Sequence, residues 1–256
     1  MHPVILRIGD ITLYSYGLFV GLGFLSAVWF SSRRAKVFGF TPEFVTDLFF
    51  VILVSGILGA RIAYVLQNFL VYAADPLSIF KIWTGGLVFY GGFLCALVCT
   101  MIYVVRRGFR LWHTADFLAP AIALGHAVGR IGCFFAGCCY GQECDLPWGI
   151  TFSDPDSLAP LGVMLHPTQL YSVATNLCLC LFLLWLEKRK RFSGMVFWVY
   201  ILLYGTQRFL VEVFRGDPRG FFLVNWLSFS QGIGVIMVVI ALAMLVYLNG
   251  RGHDRT

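Results

Sequence analysis

The sequence predicts an all-α polytopic membrane protein of about seven transmembrane helices, N-terminus outside and C-terminus cytoplasmic, on three observations. Apolar residues make up 59% of the 256 and charged residues only 12%, against about 45–50% and about 25% in an ordinary soluble domain. The mean hydropathy of +0.81 is too high for one core to hide. Apolar runs of roughly 20 residues, enough for a helix to cross the hydrocarbon layer, recur along the chain, and the cations gather in clusters between pairs of such runs. These features exclude a soluble globular domain, a disordered chain and a nucleic-acid-binding module, so no nucleic-acid partner is expected.

The runs fall at about 11–32, 44–70, 86–105, 115–135, 167–187, 194–214 and 226–248. The first is no cleaved signal peptide: positive charge follows it at Arg33, Arg34 and Lys36, whereas only Arg7 precedes it. Further clusters stand at Arg106, Arg107 and Arg110, at Lys188 to Arg191, and at Arg251 with Arg255. The positive-inside rule places all four clusters in the cytoplasm. Arg7, Lys81, Arg215 and Arg219 then lie on the opposite side, while Arg61, Arg130 and Arg208 lie inside or at the edge of apolar runs. Among the external connections, 69–85 turns at Asp75-Pro76, and a loop-rich segment, 137–166, carries Asp145, Pro147, Asp154, Pro155, Asp156 and Pro160. Residues 1–256 read as a single integral membrane domain. Gly17, Gly21, Gly23, Gly56 and Gly59 are expected to admit close helix packing.

An arginine at membrane depth costs at least about 2.5–3.5 kcal/mol, so it is expected to face the protein interior or a wet cavity. Arg208, Glu212 and Arg215 stand at i, i+4 and i+7, which on a helix puts a carboxylate between two guanidinium groups. That face reads either as a structural ion-pair ladder or as an anion site for phosphate, which guanidinium binds in a planar, bidentate way. Arg130 follows His126 by four residues and enters a run with Gly129, Gly132, Gly137 and Gly141. A cation, a histidine and a glycine-rich exit form a cradle suited to a lipid phosphate.

Four of the eight cysteines, Cys133, Cys138, Cys139 and Cys144, fall within this exit. A metal site, a redox pair and a disulfide clamp all remain open for them. The external location favours oxidation, and a bridge from Cys133, Cys138 or Cys139 to Cys144 would staple the exit. The ligand spacings fit a zinc site poorly, and there is no CxxC. Cys95, Cys99, Cys178 and Cys180 sit in apolar runs and read as small hydrophobes.

The run GRIGCFFAGCCYG at 129–141 resembles the signature of the prolipoprotein diacylglyceryl transferases of the bacterial inner membrane. Tyr16-Gly17, Gly59-Ala60-Arg61 with Tyr64, Gly85 to Leu87 and Tyr90 to Gly92, His166 to Tyr171, and Arg208 through Glu212 to Arg215 resemble that family in order, from about residue 7 to 248. The family's members are similarly seven-span proteins with an external N-terminus. Three positions depart from its commonest pattern: Tyr90 stands where His is usual, Cys133 and Ala136 where Asn is usual, and Cys138 where Glu is usual.

The resemblance implies transfer of a diacylglyceryl group from phosphatidylglycerol to the lipobox cysteine of a prolipoprotein, with glycerol 1-phosphate released and no metal or organic cofactor. It implies a multi-pass protein of the inner membrane with its site toward the external face. Arg130, Arg208 and Tyr90 are the expected catalytic residues. Tyr16, Arg61, His126, Gly129, Gly132, Gly141, His166, Gln169, Tyr171, Glu212 and Arg215 are expected to bind substrate. The base stays open between Tyr90, His126, His166 and Glu212, since a tyrosine with an ordinary pKa of about 10 is a poor base near neutrality. Two other readings stand beside this one: a membrane thiol oxidoreductase using the cysteine cluster, and an inactive family-related binding protein.

Overall fold

The computed structural model describes residues 1–8, 11–81, 85–217 and 228–253. Arg219 and Arg255, and the side chain of Arg251, therefore lie outside the described residues. The chain opens with β1 (Val4–Ile8) and β2 (Ile11–Tyr14), an antiparallel pair whose register runs from Val4 opposite Tyr14 to Ile8 opposite Ile11. Residues 11–14, expected to begin the first span, are thus strand; their main-chain groups are satisfied across the pair rather than along a helix. The helices are α1 (Ser15–Arg34), α2 (Pro42–Gln67), the short α3 (Phe69–Ala74), α4 (Phe89–Arg106), α5 (Leu111–Ala136), α6 (Thr168–Glu187), α7 (Met195–Val213) and α8 (Phe229–His253). Two short pairing segments, β3 (Ile150–Thr151) and β4 (Met164–Leu165), lie between α5 and α6.

Among the described residues, seven helices are long and apolar enough to cross a membrane. Their outward faces are apolar as well: Phe50, Leu58, Leu94, Leu181 and Val246 are all more than half exposed. In water such faces would be a liability; against lipid tails they are the expected surface.

The chain divides into two compact units, Met1–Phe30 with Ala115–Thr256, and Ser31–Thr114. In the smaller unit, α2 starts at a Thr41 cap whose side chain accepts the Phe44 N–H, with Pro42 in the first turn. Phe40, Phe44 and Phe109 pack with ring centroids 4.3 to 5.0 Å apart. Helices α2 and α4 cross where a Cβ on Gly92 would lie 2.6 Å from the Gly56 carbonyl oxygen. Of the glycines expected to admit close packing, Gly23 and Gly59 do so, whereas Gly17 and Gly21 face open space.

In the larger unit, Ala119 and Ala123 of α5 pack with Leu179 and Leu183 of α6 and Val196 and Tyr200 of α7 into one buried cluster. A carboxylate fixes the turn into α7. Asp116, fully buried on α5, accepts the N–H groups of Gly194 at 2.9 Å and Phe197 at 3.0 Å, and Lys190 Nζ stands 3.6 Å away. It satisfies helix N–H donors that otherwise have no acceptor. The segment 137–166 has its own small core of Phe152, Ala159 and Leu165, against which Met1, Tyr140 and Val163 pack. A hydrogen bond between His2 and Asp154 at 3.1 Å and a salt bridge from Arg7 to Asp156 at 3.0 Å tie the N-terminal residues to it. The main-chain N–H of Asp156, with His2, holds the exposed Asp154 carboxyl below the usual carboxylate range.

Candidate functional site

The site grows from the C-terminal half of α5. His126 and Arg130 lie one turn apart on one face, and Arg130 Nε donates to His126 Nε2 at 3.2 Å. An imidazole nitrogen that accepts this bond has its lone pair engaged, so the ring proton sits on Nδ1. The ring of Tyr204, on α7, tilts against His126 at 5.2 Å, and its hydroxyl interacts electrostatically with Arg130. Arg208 lies near enough to act on His126, and Arg215 near enough to act on Arg130. Three guanidinium groups therefore converge in one unit.

Their remaining partners separate them. Arg215 holds Asp217 in a two-pronged pair, Nε to Oδ1 at 2.8 Å and NH2 to Oδ2 at 2.9 Å, and Glu212 Oε2 lies 3.8 Å from its Nε. Arg208 donates to Ser230 Oγ at 3.0 Å. Glu212 accepts the Ser228 hydroxyl at 3.0 Å. The expected single helical face of Arg208, Glu212 and Arg215 is corrected: α7 ends at Val213, so Arg215 has left the helix and bridges to Gly141. Arg130 spends a single hydrogen bond, the one to His126, on protein groups among the described residues. The rest of its planar fork is open for an anion.

Glycines set how close the surrounding backbone comes. At Gly132 a Cβ would meet Phe19 Cβ at 2.8 Å and the Tyr16 carbonyl oxygen at 3.2 Å, so α1 and α5 touch there. That contact brings Tyr16 into electrostatic range of Arg130 and of the three cysteines beyond it. Gly141 lies where 140–142, 214–216 and His166 meet; a Cβ there would clash with His166 and stand 2.8 Å from the Phe214 oxygen. Gln142 N–H donates to Phe214 O at 2.8 Å, and Gly216 N–H to Tyr140 O at 3.2 Å. Gly129 faces open space. The His166 ring tilts against Phe214 at 5.3 Å, its Nδ1 lies 3.1 Å from the Tyr171 hydroxyl, and that hydroxyl accepts Trp148 Nε1–H at 2.9 Å.

Cys133, Cys138 and Cys139 place their sulfur atoms within 4.8 Å of one another. Cys144 is outside this group, and none of the eight cysteines is in a disulfide, so of the readings left open for the four the bridge to Cys144 is not formed. Its main chain instead runs beside β4, with its N–H on Met164 O at 3.1 Å. Hydrogen bonds from Cys133 and Cys138, then the facing Arg215 and Arg130, hold the Cys139 thiol well below its ordinary range. Cys138, placed between Cys133 and Cys139 and partly buried, is pushed up. Gln169 Nε2 donates to Cys138 O at 2.8 Å and Thr168 Oγ1 to Cys139 O at 2.7 Å, both from fully buried positions.

The two remaining expected site residues belong to the other unit. Arg61, expected to bind substrate, is 5% exposed and donates to five main-chain carbonyls: Ile79 from Nε, Gly85 and Gly86 from NH1, Ser78 and Lys81 from NH2. Its fork is filled, and the structure gives it the task of holding 78–81 and 85–86. Tyr90, in the first turn of α4, is 55% exposed with its ring edge-on to Phe89. Tyr204 was legible as the residue one turn before Arg208 on the same face. Ser228 and Gln231 form a reciprocal cap on α8, whose S-x-x-Q pattern is a known helix start. Asp116, Trp148 and Asp217 carry no comparable local signal.

A family model described as prolipoprotein diacylglyceryl transferase matches residues 3–247. A phosphatidylglycerol–prolipoprotein diacylglyceryl transferase of Clostridium tetani is 35% identical over 242 residues, covering 94% of this chain and 96% of the relative. The protein of that name from Vibrio vulnificus is 38% identical over 260 residues, covering 99% and 93%. A second such transferase of Clostridium perfringens is 35% identical over 253 residues, covering 98% of each.

Proposed function

Because this chain belongs to the prolipoprotein diacylglyceryl transferase family, we propose that it moves the diacylglyceryl group of phosphatidylglycerol onto the lipobox cysteine thiol of a prolipoprotein. The products are a thioether and glycerol 1-phosphate. The chain is a transferase of lipoprotein biosynthesis, and its relatives are named for the same donor and acceptor. The observation that carries the reading is the largely open guanidinium of Arg130, set near Arg215 and Tyr16 in the glycine-bearing last turns of α5, with Arg208 acting on the neighbouring His126.

In the transfer, the thiolate sulfur attacks the glyceryl carbon and the carbon–oxygen bond to phosphate breaks. Negative charge on the departing phosphate rises along that path, so a cation already in place stabilises the transition state more than the bound donor. Arg130 takes the phosphate in a planar, two-donor contact. Arg208 adds charge, and Glu212 and Asp217 fix the neighbouring cations. Tyr16 and Gly129 line the approach, and Gly132 and Gly141 set the backbone spacing. Gln169, His166 and Tyr171 hold the turn from the α6 side. Tyr90 keeps its catalytic assignment by motif position, Arg61 contributes by holding 78–81 and 85–86, and the whole chain acts as one transferase domain.

We place the protein in the inner membrane with the N-terminus outside and the site toward the external face. The charge clusters support this topology. Reporters inserted after Arg34, Arg110 or Arg191 are expected to give cytoplasmic signals, and an external signal at any of them contradicts it. The function itself is tested with the purified protein, phosphatidylglycerol labelled in its acyl chains and a lipobox peptide: the label is expected on the peptide as a thioether. A peptide that stays unlabelled beside an active relative under the same conditions overturns the reading.

A further inference from the structure

The transfer as described assigns no task to the three thiols beside Arg130, and it leaves open how the acceptor thiol loses its proton. His126 is not free to take that proton, because its lone-pair nitrogen already accepts the Arg130 N–H. The three thiols have the form of a ligand set. Cys133 comes from the end of α5, Cys138 and Cys139 from the turn beyond it, and their sulfurs lie within 4.8 Å of one another. Three sulfurs around a tetrahedral zinc ion, each about 2.3 Å from it, stand roughly 3.8 Å apart, so side-chain rotation is enough to close the set.

The surroundings support a built site. Among the described residues, Cys139 is the one non-glycine residue with a positive φ, 61°, a conformation its side chain resists. The carbonyls of Cys138 and Cys139 are gripped by Gln169 and Thr168, each 1% exposed. The other end of the Gln169 amide, Oε1, is buried without a hydrogen-bond partner, which leaves an unsatisfied acceptor beside the cluster. Three thiolates with one divalent cation carry a net negative charge. Arg130 and Arg215, facing Cys133 and Cys139, supply the countercharge.

We propose that Cys133, Cys138 and Cys139 bind one Zn²⁺ ion and leave its fourth position for the acceptor thiol. This assignment rests on the transferase reading above. A zinc site with three protein ligands and one open position is the arrangement used for catalysis rather than for structure, and a thiol that coordinates the metal is deprotonated outright. The steps balance without an oxidant or reductant. The incoming thiol forms a zinc–sulfur bond and releases its proton to solvent. A sulfur lone pair then attacks the glyceryl carbon, and the carbon–oxygen pair leaves with glycerol 1-phosphate. The neutral thioether departs from the metal.

The test uses the full chain, purified in detergent under reducing conditions, loaded with ZnCl₂ and freed of excess metal. One zinc per chain is expected, and Co²⁺ in its place is expected to give a tetrahedral spectrum with sulfur-to-cobalt charge transfer. Cys138→Ser and Cys139→Ser are each expected to weaken binding at least tenfold, while Cys144→Ser binds like the parent. A lipobox peptide is expected to shift the cobalt spectrum, and its Cys→Ser analogue to leave it unchanged. A reduced parent protein that retains no zinc overturns the site, independently of how the variants fold. A chelated, metal-free protein that transfers lipid at the parental rate overturns the zinc role while leaving the transferase reading intact. Zinc and peptide binding without transfer supports the metal site and counts against the transferase reading.

Discussion

Two buried arginines, one in each unit, show how little burial alone says about function. Arg61 is almost wholly enclosed, and its Nε and both terminal nitrogens are bonded to main-chain oxygens between 78 and 86. Arg130 is mostly buried too, spends one bond on His126, and has Arg208 and Arg215 as neighbours. A guanidinium whose donors are consumed stabilises the fold around it, whereas one left open among other cations is prepared for an anion. The two were equivalent by position in an apolar run; the hydrogen bonds distinguish them.

That contrast is broken most severely at Arg208. Arg208→Ala removes a cation from the cluster, strands the Ser230 contact and unbalances Glu212. Transfer is expected to fall by roughly 10²–10³-fold, the cost of deleting a preorganised charge at a developing anion. The rate is measured against the amount of folded protein, and an unchanged rate returns Arg208 to structure. Next comes Arg61→Lys, which keeps the charge but cannot span five carbonyls. Losing two charge-assisted bonds costs about 3–6 kcal/mol, so unfolding in detergent is expected at lower temperature or denaturant, with transfer per folded molecule reduced less than tenfold. A stable variant that has lost transfer would move Arg61 into the site. The smallest effect is expected for Glu212→Gln. It retains an acceptor for Ser228 and loses only a 3.8 Å ion pair, while Asp217 still holds Arg215. About a tenfold fall in transfer is expected; complete loss in a folded protein would make the carboxylate itself essential.

The parts legible in the sequence were those written in long windows. Hydropathy over some 20 residues locates seven helices because a bilayer-spanning helix is defined by composition over that length. The convergence at Arg130 was legible through local spacing, with His126 four residues before it and glycines at 129, 132 and 141. What escaped depends on partners distant in sequence. Residues 11–14 are apolar enough to extend a span, yet pair with 4–8. The carbonyls that fill Arg61 lie 17 to 25 residues away, on and just after the short 3-10 turn Pro76–Phe80 and at the Gly85-Gly86 pair. Arg215 kept helical spacing from Arg208, but the helix ends two residues before it, where pairing with Gly141 takes over. The cysteines were left open between a cluster and a bridge for a related reason. Chain proximity suggested Cys144 as a partner, while the turn after α5 folds Cys138 and Cys139 back toward Cys133.

The central claim is that Arg130 recognises the donor phosphate through its open planar donors rather than through charge alone. It is tested most directly by the transfer rate of Arg130→Lys, measured with saturating lipobox peptide and normalised to folded protein. A lysine ammonium preserves the charge but presents a point donor in place of the fork. The account predicts a fall of roughly 10²–10³-fold with thermal unfolding close to the parent's, since Arg130 contributes one hydrogen bond to the described structure. A Lys variant that transfers lipid at the parental rate would contradict it.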